Sequence, residues 1–360
     1  MPRPWIDAVS KVALGSLCTV AGVLLPCLLP AEAGTGDPAQ VAVLHNGVRD
    51  DHSYNHLILK GVRAFERQRQ VPVLLIEDPG SQLYPGDSFE QLLARIDGAG
   101  IGALIFDGLN LTNERAAKAI GRHPQLRLVD VNGGLSVPDR VRAVDFRIEE
   151  AAYLAGLLAA RHSRSGTLGF VGGLDVPMIR SFGCAYAAGA RQQRPEIRVL
   201  QRSMGFVANA FSDPASGHRL AMELIDAGAD VVFHAAGATG LGVLQAVAER
   251  DVLGIGVDTN QNPLHPGHVL TSVMKHLDVV IYSNLVALHE GGWAPGVASV
   301  GLAERAVGLA MDQHNFALLD ATDRQILEDA EFDIIAGVEL FDLEQLRSGH
   351  CPHLEPAATP

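Results

Sequence analysis

Two charged residues stand directly against apolar runs in this chain. Asp258 follows Gly254-Ile255-Gly256-Val257, and Lys275 ends Leu270-Thr271-Ser272-Val273-Met274. A carboxylate placed straight after a buried strand has few structural reasons to be there, and an apolar-flanked ammonium is its natural partner. Asp107 likewise follows the apolar run 102–106, where a carboxylate serves a ligand or a turn equally well. His45 and Asn46 follow 41–44, and Ala235-Ala236-Gly237 follows 231–234. Ahead of a helix that begins near Asn55 stand Asp50, Asp51 and Ser53. Ser53 fits helix capping better than ligand contact, while Asp51 suits either role.

Several reactions are excluded by residue type and spacing. Ser53 has no general base near it in the sequence, so nucleophilic catalysis lacks a proton acceptor. Calcium-assisted hydrolysis needs several oxygen ligands converging on one cation, and adjacent Asp50 and Asp51 point different ways. Gly240-Leu241-Gly242-Val243-Leu244-Gln245 follows a strand, but Gln245 fills a position where a dinucleotide fingerprint needs a minimal side chain. The 14 histidines show no metal-ligand spacing. No metal, cofactor or catalytic residue is expected.

The elements that must position these residues alternate. Apolar runs at 41–44, 71–76, 102–106 and 126–129 are separated by helical stretches beginning near 55 and at 89–96 and 113–120. A second set starts at Glu149, with runs at 168–171, from Val199, 231–234 and 254–257 between helices at 177–193, 217–227 and 241–250. Continuous apolar strands between helices mean parallel sheets covered on both faces. The fold expected is α/β, with two doubly wound parallel-sheet lobes. Ligands of such sheets bind beyond the carboxyl ends of the strands, so facing lobes form a cleft that closes by a hinge.

The 360 residues suffice for two domains. Hydrophobic residues at 48% against 19% charged exclude disorder, and a net charge of −13 argues against nucleic acid as a partner. Residues 1–33 read as an export signal: Arg3 and Lys11, an apolar run from Val12 to Leu29, then Ala31-Glu32-Ala33 before Gly34. An uncleaved anchor is the rival, since about 18 apolar residues approach the length of a membrane span. Leu17 and Pro26 precede Cys18 and Cys27 where a lipidation signal needs a small residue. The expectation is a periplasmic protein without lipid, retaining Cys184 and Cys351, whose pairing is left open. Residues 349–360 are expected to fray.

Several segments resemble the basic membrane protein family of ABC-transporter substrate-binding proteins, which includes the purine nucleoside receptor-like lipoproteins. Asp51-His52-Ser53-Tyr54-Asn55 is similar to that family's Asp-x-Ser-aromatic-Asn signature. Glu150 to Gly156, Gly169 to Gly173 with Pro177 and Ile179, and Phe211 to Gly217 follow in order. Then come Ala235 to Gly242, Ile255 to Asp258 with Gln261, and Leu270 to Lys275. The resemblance runs from about Val41 to Leu340. It implies a type I periplasmic-binding-protein fold with a hinged cleft. Lobe 1 would span 40–145 with a return near 276–310, and lobe 2 would span 146–275 with a return near 311–345.

The resemblance also implies a site. A purine nucleoside would lie between Tyr54 and Phe211, with its ribose on Asp258 and Lys275. His45, Asn46, Ser53, Asn55, Asp107 and Gly237 complete the expected ligand-binding set. His45 stands where relatives carry Asp or Asn to read the base edge, and a neutral histidine serves a two-donor guanine edge less well. Tyr54 replaces the usual Phe and adds a hydroxyl that needs a partner. The implied function is non-enzymatic: a monomeric binding protein for a purine nucleoside or related heteroaromatic ligand, delivering to an ABC permease. A sensor presenting its closed form to a membrane receptor shares this fold and pocket; a nucleoside-processing hydrolase is the catalytic alternative.

Overall fold

The computed structural model describes residues 40–45, 49–77, 88–109, 111–132, 135–137, 139–348 and 351–357. The export segment, its cysteines and Asn46 lie outside these residues.

The first lobe is a six-stranded parallel sheet. In chain order its first five strands are β1 (Val41–His45), β2 (Leu74–Glu77), β3 (Ala103–Phe106), β4 (Arg127–Asp130) and β5 (Val141–Phe146). Between them run α1 (Tyr54–Arg69), α2 (Ser88–Gly98) and α3 (Asn113–Ile120). All five positions of β1 are buried, as a strand with helices on both faces requires. β5 was not anticipated, because Arg142 and Asp145 interrupt its apolar pattern. Both charges find partners distant in the chain, Arg142 in Asn284 at 2.8 Å and Asp145 in Arg347 at 2.9 Å and Ser299 at 3.0 Å.

The second lobe begins with α4 (Ile148–His162) and continues through β6 (Thr167–Gly172), α5 (Pro177–Gln193), β7 (Arg198–Ser203) and α6 (Pro214–Asp226). It goes on with β8 (Val231–Ala235), α7 (Thr239–Glu249), β9 (Leu253–Asp258) and β10 (Val269–Lys275). The Ala-rich α4 is buried along most of its length. It meets α5 backbone to backbone: a Cβ on Gly156 would fall 2.0 Å from the Tyr186 carbonyl oxygen, and one on Gly189 2.0 Å from that of Tyr153.

The chain then returns to the first lobe through α8 (Leu277–His289) and β11 (Gly296–Val300), and crosses again to β12 (Val307–Leu309), α9 (Ala321–Ile335) and α10 (Leu343–Arg347). Three segments therefore join the lobes, near 146–148, 275–277 and 300–307. The last strand, β13 (Leu354–Pro356), corrects the expectation of a frayed tail. It adds a parallel edge to β7, and Cys184 on α5 and Cys351 form a disulfide with Cα atoms 5.2 Å apart.

The sheet orders are β2-β1-β3-β4-β5-β11 and β13-β7-β6-β8-β9-β10-β12, all pairs parallel except β10 with β12. Each order reverses once in its interior, between β1 and β3 and between β6 and β8. At such a switch point neighbouring loops diverge and leave a crevice beyond the strand ends. The two crevices face each other.

Candidate functional site

Where the crevices meet lies a cavity of about 530 Å³, counting its opening to solvent. The first lobe lines it with Tyr54 and Asn55 from the start of α1, Asp107 and Leu109 after β3, and Asn132 after β4. From the second lobe come Met178, Ile179 and Phe182 on the opening turns of α5, and Phe211 from the loop after β7. Gly237, Asp258 and Lys275 complete that side at the ends of β8, β9 and β10.

The start of α1 is organised by Asp51, not Ser53. Asp51 Oδ1 accepts from the backbone N–H of Ser53 at 2.9 Å and His56 at 3.0 Å, and Oδ2 from that of Asn55 at 3.0 Å. One carboxylate thus satisfies several orphan donors and meets the positive end of the helix dipole. Ser53 occupies the cap position without a side-chain cap bond. Instead its Oγ donates to Asp258 Oδ2 at 2.5 Å, across the cleft. Ser53 is fully buried and is not among the residues lining the cavity, and the capping role expected of its side chain is corrected. It has an acidic neighbour after all, 205 residues away in the chain.

His45 is buried at the end of β1 and is not among the residues lining the cavity. The polar groups near that part of the wall are Asp107 and Asn132. Asp107 Oδ1 accepts from the Leu109 N–H at 2.9 Å, forming the turn, and both its oxygens lie 3.4 Å from Asn132 Nδ2. Asp130 lies fully buried behind them, with Oδ1 accepting from Gly108 N–H at 2.9 Å and Oδ2 from Leu135 N–H at 2.9 Å. Burial first, and the Asp130 charge second, push the Asp107 carboxyl up to about 6. The buried Tyr54 hydroxyl lies beside Asp107. Burial, and then the neighbouring Asp107 charge, raise it above the ordinary phenol range.

Asp258 and Lys275 are both buried on the cavity wall, but the expected direct ion pair is absent among the described residues. Asp258 is held by Ser53, leaving Oδ1 without a hydrogen bond among the described residues. Its φ of 63° and the 2.7 Å bond from Thr259 N–H to the Val257 carbonyl make a tight three-residue turn in a rarely adopted backbone region. Burial raises its pKa, while Lys275 is the leading opposing influence. The Lys275 Nζ donates to Asn132 Oδ1 and lies 4.5 Å from the centre of the Phe146 ring and 5.3 Å from that of Tyr54. Burial lowers the pKa of Lys275, and Asp258 opposes this most strongly.

Phe211 packs against Gly237 and lies over Gly173, where a Cβ would come within 2.3 Å of its ring. Asn55 lines the wall, and its side-chain amide donates to Asp51 at 3.1 Å. Asn132 was missed, although the strand-end rule that selected Asp107 applies equally after β4. Phe182 was missed because its α5 position is indistinguishable from core in the sequence. Among the described residues no cluster of three or more His, Cys, Asp or Glu side chains could hold a metal ion. The wall carries aromatic side chains and a carboxylate able to accept hydrogen bonds from hydroxyls, with an ammonium close by.

A family model described as "ABC transporter substrate-binding protein PnrA-like" matches residues 39–343. Basic membrane protein D of Borreliella burgdorferi is 28% identical over 291 residues, covering 79% of this chain and 82% of that protein. Basic membrane protein A2 of Borrelia garinii is 27% identical over 300 residues, covering 79% and 83%. Among solved structures, an ABC transporter solute-binding protein of Aeropyrum pernix superposes with a TM-score of 0.75 at 22% identity, over 87% of this chain and 99% of that one. A solute-binding protein of Mycobacterium smegmatis with bound glycerol superposes with a TM-score of 0.59 at 14% identity, over 79% and 98%.

Proposed function

The chain belongs to the PnrA-like family of ABC transporter substrate-binding proteins, and from that premise we propose that it binds a purine nucleoside, or a related small heteroaromatic ligand, between its lobes. Its fold is the type I periplasmic-binding-protein fold. The observation that carries the ligand class is the joint exposure of aromatic faces, one half-satisfied carboxylate and one ammonium on a single cavity wall. The base lies against Tyr54 and Phe211, a contact worth ~1–3 kcal/mol per base. Asp258 Oδ1 accepts from the sugar hydroxyls, and Lys275 donates to the same oxygens. Asp107 and Asn132, rather than His45, face the remaining edge.

The protein carries out no chemistry on its ligand. It is a periplasmic monomer, exported through residues 1–33, that shuts over the ligand and presents the closed form to an ABC permease in the inner membrane. A thermal-shift and calorimetric screen of nucleosides, free bases, riboflavin and simple sugars tests the ligand class. A nucleoside at about 100 times its Kd adds about 2.7 kcal/mol of stability, visible as a rise in Tm. No rise with any nucleoside or purine would refute the assignment.

A further inference from the structure

The lobes are joined across the cleft by hydrogen bonds that do not pass through the cavity. His52, in the first lobe's loop before α1, has a left-handed backbone with φ 51°. Its carbonyl oxygen accepts from Thr259 Oγ1 at 2.5 Å and from Gln261 Nε2 at 3.0 Å, both in the second lobe. Gln261 is almost fully buried and its amide is fixed at the other end. Oε1 accepts from Val257 N–H at 3.0 Å and lies 3.0 Å from His234 Nε2. Gln261 N–H donates to Ser272 Oγ at 3.0 Å. The donor toward His52 is therefore aimed by the second lobe's own core before the lobes meet. None of His52, Thr259 and Gln261 lines the cavity.

We infer that Thr259 and Gln261 form a clasp on the His52 carbonyl that holds part of the ligand-free population closed, and thereby sets ligand affinity without touching ligand. They are positioning residues. The affinity half rests on the reading of the cavity as the binding site; the closure half does not. The geometry favours this because the bonds join protein to protein and form with any occupant. Net hydrogen bonds of this kind shift an equilibrium roughly two- to tenfold each. Contacts made only in the closed form act chiefly on release rather than capture.

The experiment places one spectroscopic label on α3 and one on α7 and measures the distance distribution of the ligand-free full chain. Thr259→Val, at a partly exposed position, moves the distribution toward the open form, and Thr259→Ser restores it. Gln261→Glu keeps the acceptor for Val257 while removing the donor toward His52, and it shifts the distribution the same way. Should that variant fail to fold, Thr259→Val decides alone. With a nucleoside identified by the thermal screen, Thr259→Val speeds release roughly two- to tenfold at an unchanged capture rate. Identical ligand-free distributions for wild type and Thr259→Val overturn the clasp. Should no nucleoside bind, the distance measurement still decides it, so the two failures are told apart.

Discussion

Asp258→Asn is the most informative single perturbation of the cavity. Asparagine tolerates the left-handed backbone at φ 63° about as well as aspartate, so the tight turn survives. Its amide oxygen can still accept from Ser53 Oγ, now 2.5 Å from Oδ2. What disappears is the charged acceptor at Oδ1. A hydrogen bond to a charged group contributes ~1.5–3 kcal/mol, so a loss of about 2 kcal/mol, or roughly thirtyfold in Kd, is expected for a nucleoside. The free base has no sugar hydroxyls and should weaken less than about threefold. Isothermal titration of one nucleoside and its base against both proteins measures the difference. Stability supplies the control. Burial raises the Asp258 pKa, so the folded state favours the protonated form and loses stability as pH rises through the range between the unfolded and folded values. Replacing the carboxylate with a neutral amide should therefore leave Tm at pH 7 unchanged or higher. Equal losses for nucleoside and base in a folded variant would refute the sugar assignment.

Three other perturbations probe separate parts of the site. Gly173→Ala places a Cβ 2.3 Å from the Phe211 ring and forces it to move, so nucleoside and base should weaken together by about 1 kcal/mol or more in calorimetry; a loss confined to the nucleoside would contradict the stacking role. Asp107, pushed from an ordinary 3.8 up to about 6, holds its proton more tightly when folded, so stability should fall as pH rises from about 4 to 6. Asp107→Asn should remove that part of the slope, worth at most roughly 3 kcal/mol, in melting curves taken across this range; an unchanged slope would place the titrating group elsewhere. Reducing the Cys184–Cys351 disulfide, which closes a separation of 167 residues, should lower stability by ~2–4 kcal/mol and free β13 to exchange its amide hydrogens. Equal Tm values with and without reductant would show that β13 holds its edge without the bridge.

The alternation of apolar runs and helices was legible in the sequence because burial on both faces leaves a continuous local pattern. The helix limits at 113–120 and 177–193 match α3 and α5. β5 escaped because Arg142 and Asp145 face partners from α8 and α10, which no local window contains. In the site, Asp107 and Asp258 could be picked out because a charge at the end of an apolar strand is anomalous by itself. Asn132 obeyed the same rule and was overlooked.

The chain alone determined which residue types stand at the strand ends and that two doubly wound units would face each other. Only the folded arrangement decided what each side chain meets. It hid His45, and it turned Ser53 away from its own helix to hold Asp258 across the cleft. It kept Lys275 on Asn132 instead of Asp258, and seated the tail as an edge strand. Periodicity records how deeply a residue is buried, which is a local property. Partnership depends on the registers of two sheets and on how closely the lobes shut, and those distances are set by the whole molecule.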